Sequence, residues 1–368
     1  MLITAKITGI KYKPFLIYDN KEYSFDDFDV NTMPSNCIVC CNNFQYSISK
    51  WVSPKRTRSY PYERVYNTLN GSRKITVIPI IKDEGIKGDR DFIQWDTISL
   101  MSLLDVYVIL SYYESAEKHS SREDKITKQK MNNEYIKSKI SEISNYHSSS
   151  LHWNLQEVEK TLPVIIDKTV SSYDRIGKQS GVTFHSANGI ERFRTQIEAG
   201  MDTFMLTSRQ KAEGAQNREY LTTQPKEVLT SMTKAKINIE NYLGGLYYFT
   251  TDEIKIDDGE VFLIEAKHSQ NAKLPSLGDI KDGLLKMILY CNLEEVSVDG
   301  NLYNSLPVLK LTSSKLAGYF DSADKNADLK SFMNNNEFND RYTKLASLLY
   351  EECLVNNIRL MIESGVIK

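Results

Sequence analysis

The clearest alternation of apolar and polar positions in this chain lies between Gly245 and His268. Two runs, Glu253-Ile254-Lys255-Ile256 and Val261-Phe262-Leu263-Ile264-Glu265-Ala266, flank Asp257-Asp258-Gly259-Glu260. An Asp-Gly pair between alternating strands marks a two-residue hairpin, because both turn residues must tolerate positive φ. With Asp258 and Gly259 in the turn, Asp257 faces Glu260, Ile256 faces Val261, Ile254 faces Leu263 and Asp252 faces Glu265. Residues opposite each other in an antiparallel pair share a face, and Lys267 lies two positions beyond Glu265 on that face. Phe262, Ile264 and Ala266 occupy the other. The second strand is therefore apolar on both sides, as strands in the middle of a sheet are.

The rest of the pattern is coarser. Met1 to Cys41 reads as β-rich with turns, and Ile75 to Ile81 as a β-branched strand. Trp95 to Tyr113 is apolar and ends in the strand-like Asp105 to Leu110, and these strands are expected to extend the sheet of the hairpin. Glu114 to Val170 reads as helical and polar, a long solvated helix hairpin broken at Ser148-Ser149-Ser150. A helix is expected over Lys226 to Tyr242, another over Ser276 to Tyr290, a strand over Val308 to Thr312 and an amphipathic helix over Asn334 to Glu363.

Composition sets limits. The 368 residues are enough for two domains or one elaborated one. Hydrophobic content of 41% and charged content of 26% are those of a globular protein. No apolar run approaches the length of a membrane span, and the first residues lack a signal-peptide core. Five scattered cysteines fit reduced thiols in a cytoplasm, and the wealth of Lys, Asn, Ile and Tyr suggests an AT-rich bacterial genome. A net charge of −2 excludes an all-over basic coat but leaves room for a basic cleft. No phosphate-binding Gly-rich loop occurs, which argues against an ATP-driven motor.

Chemistry concentrates at the end of the hairpin. Two neighbouring carboxylates, Asp252 and Glu265, repel each other unless a cation lies between them. Mg²⁺ takes hard oxygen ligands, usually one or two carboxylates plus water and substrate phosphate. A lysine beside it, here Lys267, can orient an attacking water and stabilise developing negative charge.

Asp252, then twelve residues, then Glu265-Ala266-Lys267 resembles the PD-(D/E)xK nuclease superfamily. Thr251 stands where its motif has proline, and Glu253-Ile254-Lys255 is a decoy that begins the hairpin and points to the other face. The resemblance covers roughly Lys226 to Thr312 and implies an α/β fold with an α-β-β-β-α-β core of mixed sheet flanked by helices. Within the superfamily the chain most resembles a type II restriction endonuclease. That implies three regions: a DNA-recognition and helical region over 1–225, in whole or part interleaved with the core sheet, a nuclease core over 226–315 and a helical segment over 316–368. It also implies a Mg²⁺-dependent cut in double-stranded DNA at a specific sequence, leaving 5′-phosphate and 3′-hydroxyl ends. Action as a homodimer in the bacterial cytoplasm and a cognate DNA methyltransferase as genetic partner follow from the same likeness. Asp252, Glu265 and the Ala266 carbonyl are then the metal ligands and Lys267 the water-positioning residue, with Glu240 as an additional acid from the preceding helix. Two alternatives stand beside it: a nuclease of the same core without sequence preference, used in repair or phage defence, and a non-enzymatic interaction protein with a merely structural acid cluster.

Two stretches fit contacts to DNA. Lys50 to Lys74 is the most basic and holds Lys55, Arg56, Arg58 and Arg64 among Trp51, Tyr60, Tyr62 and Tyr66, a loop or extended segment similar to runs in bacterial restriction enzymes. Val170 to Pro225 carries Arg192, Arg194, Arg209, Lys211 and Arg218 with several Gln and Asn, the side chains that read base edges. Lys281 and Lys286 are further candidates for phosphate. The CxxCC cluster at Cys37, Cys40 and Cys41 reads as small strand residues, the acidic run Asp83 to Asp91 as a structural loop and His185 as a structural histidine.

Overall fold

A computed structural model of the chain describes residues 1–17, 20–41, 43–54, 59–221 and 233–365. It is mixed α/β, and its contacts divide it into two units, one of residues 1–17 and 211–368, the other of residues 18–210. Among the described residues no helix is long and apolar enough to cross a membrane.

The first unit holds the hairpin. Its elements are β1 (Leu2–Ile7), the part of α1 (Met201–Leu221) from Lys211 onward, β2 (Thr233–Asn241), β3 (Leu246–Asp257), β4 (Glu260–Ser269) and α2 (Leu277–Tyr290). They continue with β5 (Glu294–Val298), β6 (Asn301–Leu302), β7 (Asn304–Ser313), β8 (Tyr319–Asp321), α3 (Leu329–Asn335), α4 (Asp340–Val355) and β9 (Arg359–Ser364). Among the described residues the strands form one nine-stranded sheet in the order β6-β5-β1-β2-β3-β4-β7-β9-β8. β2, β3 and β4 are antiparallel neighbours, whereas β4, β7 and β9 run parallel. The stretch 316–368 does not stand apart, because β9 lies against β7 and β8 against β9.

The hairpin keeps the register its turn imposes. Asp257 pairs with Glu260, Ile256 with Val261 and Ile254 with Leu263. Asp258 and Gly259 take φ of 45° and 80°, the left-handed values a two-residue turn requires. Ser276 caps α2 by accepting the Asp279 N–H, and β7 includes the expected strand.

The helix expected over Lys226 to Tyr242 is absent where it is described. Residues 222–232 lie outside the described residues, and Thr233–Asn241 is the strand β2. Ala235, Ile237 and Ile239 are fully buried at every second position, a strand period. The last expected helix also ends early, since Asn356 caps α4 and Arg359–Ser364 returns to the sheet as β9.

The second unit has its own sheet, so the strands around Ile75 and Val106 do not extend the hairpin's sheet. Among the described residues five strands run in the order Glu22–Ser24, Asn36–Cys41, Phe44–Lys50, Arg73–Pro79, Val106–Ser111. The polar stretch after Glu114 opens as a two-stranded ribbon, Tyr113–Lys118 with Ile126–Met131, instead of a helix. The helix that follows, Asn133–Ser144, is not a solvated arm: Ile136, Ile140 and Ile143 line one face of it and join a core with Val39, Tyr46, Ile75 and Trp153. The break at the serines is real, with Ser149 capping the next helix. Cys37 and Cys41 are buried on their strand, and burial pushes the Cys37 thiol up to about 12, far from a thiolate ligand.

Candidate active site where two strands part

The site arises because β3 and β4 separate. Their ladder ends at Glu253 opposite Ile264, while β4 continues beside β7 as far as Ser269. On the other side of β3, Ala235 pairs with Thr251 and Thr233 with Ile254, so Asp252 and Glu253 together oppose Lys234. Such a bulge bends a strand and re-aims a side chain. Asp252 is therefore not the direct cross-strand partner of Glu265 expected from the turn. Its Oδ2 instead accepts the Ala266 N–H at 2.9 Å and closes the gap where the ladder stops. In an extended strand the N–H and C=O of one residue point the same way, so the Ala266 carbonyl also faces the parting.

Helix α2 covers this end of β4. A Cβ on Gly283 would lie 3.1 Å from Leu309 Cδ1, 3.3 Å from Lys267 Cε and 3.7 Å from Glu265 Cγ, so the helix rides close over the site. Its residues Asp282 and Lys286, one turn apart, share a helix face. Lys267 Nζ lies 3.0 Å from Glu265 Oε1 and 2.7 Å from Asp282 Oδ2, and Lys286 Nζ lies 2.9 Å from Glu265 Oε2. Glu265 is 1% exposed.

The charges settle unequally. Burial opposes ionisation of Glu265, yet the Lys286 and Lys267 ammoniums hold its carboxyl below the usual range. Burial and then the charge of Glu265 push the Asp252 carboxyl up to about 7, against the pull of Lys286, the Ala266 N–H and Lys267. Burial disfavours the Lys267 charge, but Glu265 and Asp282 raise its affinity for the proton above the ordinary lysine value. Lys267 is therefore an ammonium at neutral pH, a donor and a positive charge, and cannot accept a proton.

Sequence reasoning brought Asp252, Glu265, Ala266 and Lys267 to one place, and the structure agrees on that proximity. Glu240 is not with them. It sits on β2 opposite Leu246, six residues along β3 from Asp252, or ~20 Å at strand spacing. An acid from a helix is present nearby but is a different one: Glu219 on α1 accepts the Thr250 hydroxyl at 2.6 Å, two residues before Asp252. Asp282 was also missed. Lys281 is fully buried and Lys286 is ion-paired, so neither is a solvated phosphate contact. Asp282 and Lys286, one turn apart among the apolar Ile280, Leu284, Leu285 and Ile288, were the available signal.

The basic candidates are placed as follows. Lys55, Arg56 and Arg58 are outside the described residues. Arg64 follows on a helix, Ser59–Tyr66, and donates to the Lys50 carbonyl, while Trp51 and Tyr66 are fully buried and not open to bases. Arg192 is exposed and donates to Asn188 in its own helix, Asn188–Glu198. Arg194 pairs with Asp167 at 2.7 Å and Glu191 at 3.2 Å. Arg209 is half-buried on α1, and Lys211 and Arg218 are exposed there. His185 Nδ1 lies 2.9 Å from Asp83 Oδ1, a structural pairing.

Among the described residues no group of three or more His, Cys, Asp or Glu side chains is arranged to hold a metal ion. Asp252, Glu265 and the Ala266 carbonyl are a set of hard oxygens with two carboxylates, which suits Mg²⁺ completed by water and phosphate better than a closed protein cage. Two further observations fit a cation here. Burial and Glu265 keep the Asp252 carboxyl raised in spite of its neighbours, and the Tyr290 hydroxyl beside this cluster is buried with no hydrogen-bond partner among the described residues. Comparison with family models, with curated proteins and with solved structures returns no match for this chain.

Proposed function

We propose that the chain is a Mg²⁺-dependent DNA endonuclease of the PD-(D/E)xK type, acting on double-stranded DNA at a specific sequence as type II restriction enzymes do. The observation that carries the reading is the parting of β3 and β4, which gathers Asp252, Glu265, Lys267 and a strand carbonyl in one partly buried notch. Among the described residues the succession α1-β2-β3-β4-α2-β7, with β5 and β6 between its last two members, supports it as an α-β-β-β-α-β core. So does the sheet order β2-β3-β4-β7, antiparallel up to β4 and parallel beyond it. Homodimeric action and a cognate methyltransferase belong to the same proposal.

In this reading Asp252, Glu265 and the Ala266 carbonyl hold the metal ion. When bound, Mg²⁺ supplies Lewis acidity at the phosphate and a lowered pKa for water. The chain's own residues do the rest. Lys267 is held protonated by Glu265 and Asp282, so its ammonium donates to the attacking water and offsets charge building on the phosphate. Asp282 keeps that ammonium in place from α2. Glu219 holds Thr250 and thereby the strand that carries Asp252. The test is cleavage by Lys267→Ala: the variant binds the specific DNA and does not cut it, and undiminished cutting rejects the assignment.

A further inference from the structure

The buried charges at the notch form a chain of alternating sign. Asp282, Lys267, Glu265 and Lys286 follow one another at 2.7, 3.0 and 2.9 Å. Lys267 touches two acids, Asp282 and Glu265, and shares the second with Lys286. Lys286 faces the other side of Glu265, and its charge is felt by Asp252. It therefore occupies one oxygen of a carboxylate assigned above to a divalent ion. Its side chain is only 16% exposed, so the ammonium has little water to retreat into. An ammonium in such a place does electrostatically what a metal ion does, with one charge instead of two.

We propose that Lys286 is a tethered cation that holds Glu265 Oε2 while no divalent ion is bound, yields that oxygen when one enters, and so sets the metal affinity of the site. It is a positioning residue, and this role rests on the metal-dependent reading above. Removing its charge leaves the two carboxylates with one competitor fewer and one positive neighbour fewer to repel an incoming ion. At the short distances involved a unit charge changes affinity by about tenfold or more.

The experiment is calorimetric titration of Mn²⁺ into the DNA-free full chain, native, Lys286→Met and Lys286→Arg, each first shown to melt cooperatively in EDTA. Lys286→Met is expected to bind Mn²⁺ about tenfold more tightly or better, and Lys286→Arg, which keeps the charge, to stay close to the native chain. If Lys286→Met does not fold, Lys286→Gln, which keeps a donor for Glu265 without the charge, is expected to show the same tightening. Native binding with equal or weaker binding by the uncharged variants overturns the role of Lys286 and leaves the metal site standing. No binding by any of the proteins overturns the metal site and this inference with it.

Discussion

Glu84 and Glu265 are both acids clamped between two lysines, one in each unit, and they end in different states. Lys82 and Lys125 each reach Glu84 at 2.7 Å. Although burial pushes its carboxyl up, their hydrogen bonds and charges bring it down to about 2. That triad ties the edge of the Ile81–Asp83 strand to the turn that leads into Ile126–Met131, and its local charge is already offset. Glu265 has the same two-lysine clamp, but a further, half-buried carboxyl, Asp252, lies beside it and is pushed up to about 7. A clamp that is complete is architecture. One that leaves a carboxyl unable to ionise comfortably at neutral pH has room for another positive charge, and groups perturbed in this way gather at functional sites.

The largest expected effect separates the two clamps by activity. Lys267→Ala lowers Mg²⁺-dependent cleavage at least about a hundredfold with specific binding retained, measured by gel shift and single-turnover cleavage. Glu84→Gln leaves cleavage by the folded protein unchanged.

Next in size is a difference in pH response. A carboxyl raised in the folded state favours folding while protonated. The Asp252 contribution is thus full below its ordinary value of 3.8 and lost as pH rises through about 7. Asp252→Asn in EDTA is expected to flatten the decline of stability across that window and to melt higher than the native chain at pH 8. It is expected to be more stable there by a few kcal/mol at most, about 1.4 kcal/mol for each pH unit by which the carboxyl is raised. A variant that melts lower at pH 8, with an unchanged pH slope, contradicts the raised Asp252 carboxyl. Glu84 has the opposite sign: its carboxyl is depressed, so its contribution is present above 4.5 and lost as pH falls through about 2. Glu84→Gln costs about 1–3 kcal/mol at neutral pH in urea denaturation, and the difference shrinks in acid.

The smallest effect concerns a basic residue. Arg194 is half-buried but pairs with two exposed acids, Asp167 and Glu191, so Arg194→Ala changes stability by about 1 kcal/mol. DNA affinity in a salt titration is expected to stay within about twofold; a reduced salt slope makes Arg194 a phosphate contact instead.

How much of this was legible follows from where the information resides. The hairpin register is local: Asp258-Gly259 sets it, and the pairs through Ile254 and Leu263 follow. The notch is local too, as far as Glu265 and Lys267 lie two apart on one strand. The bulge at Asp252 was not legible, because nothing in Thr251-Asp252-Glu253 differs from an even alternation until Lys234 is placed opposite. Thr233–Asn241 does alternate, at Ala235, Ile237 and Ile239, but joined to the residues before it the stretch reads as one long amphipathic run. Tyr113–Lys118 was missed for the opposite reason: after Tyr113 its side chains are largely exposed, and a polar ribbon carries no apolar period. Glu219, Asp282 and Lys286 come to the notch from helices, and only the packing of α1 and α2 decides which of their charges face it.

The most direct test incubates the purified chain and its Lys267→Ala variant with unmethylated phage DNA, with Mg²⁺ and with EDTA, and resolves the products on a gel. Discrete bands from the native chain alone, abolished by EDTA and ending in 5′-phosphates, are the expected result. Intact DNA with Mg²⁺ or Mn²⁺ on several templates, or equal cutting by Lys267→Ala, contradicts the account.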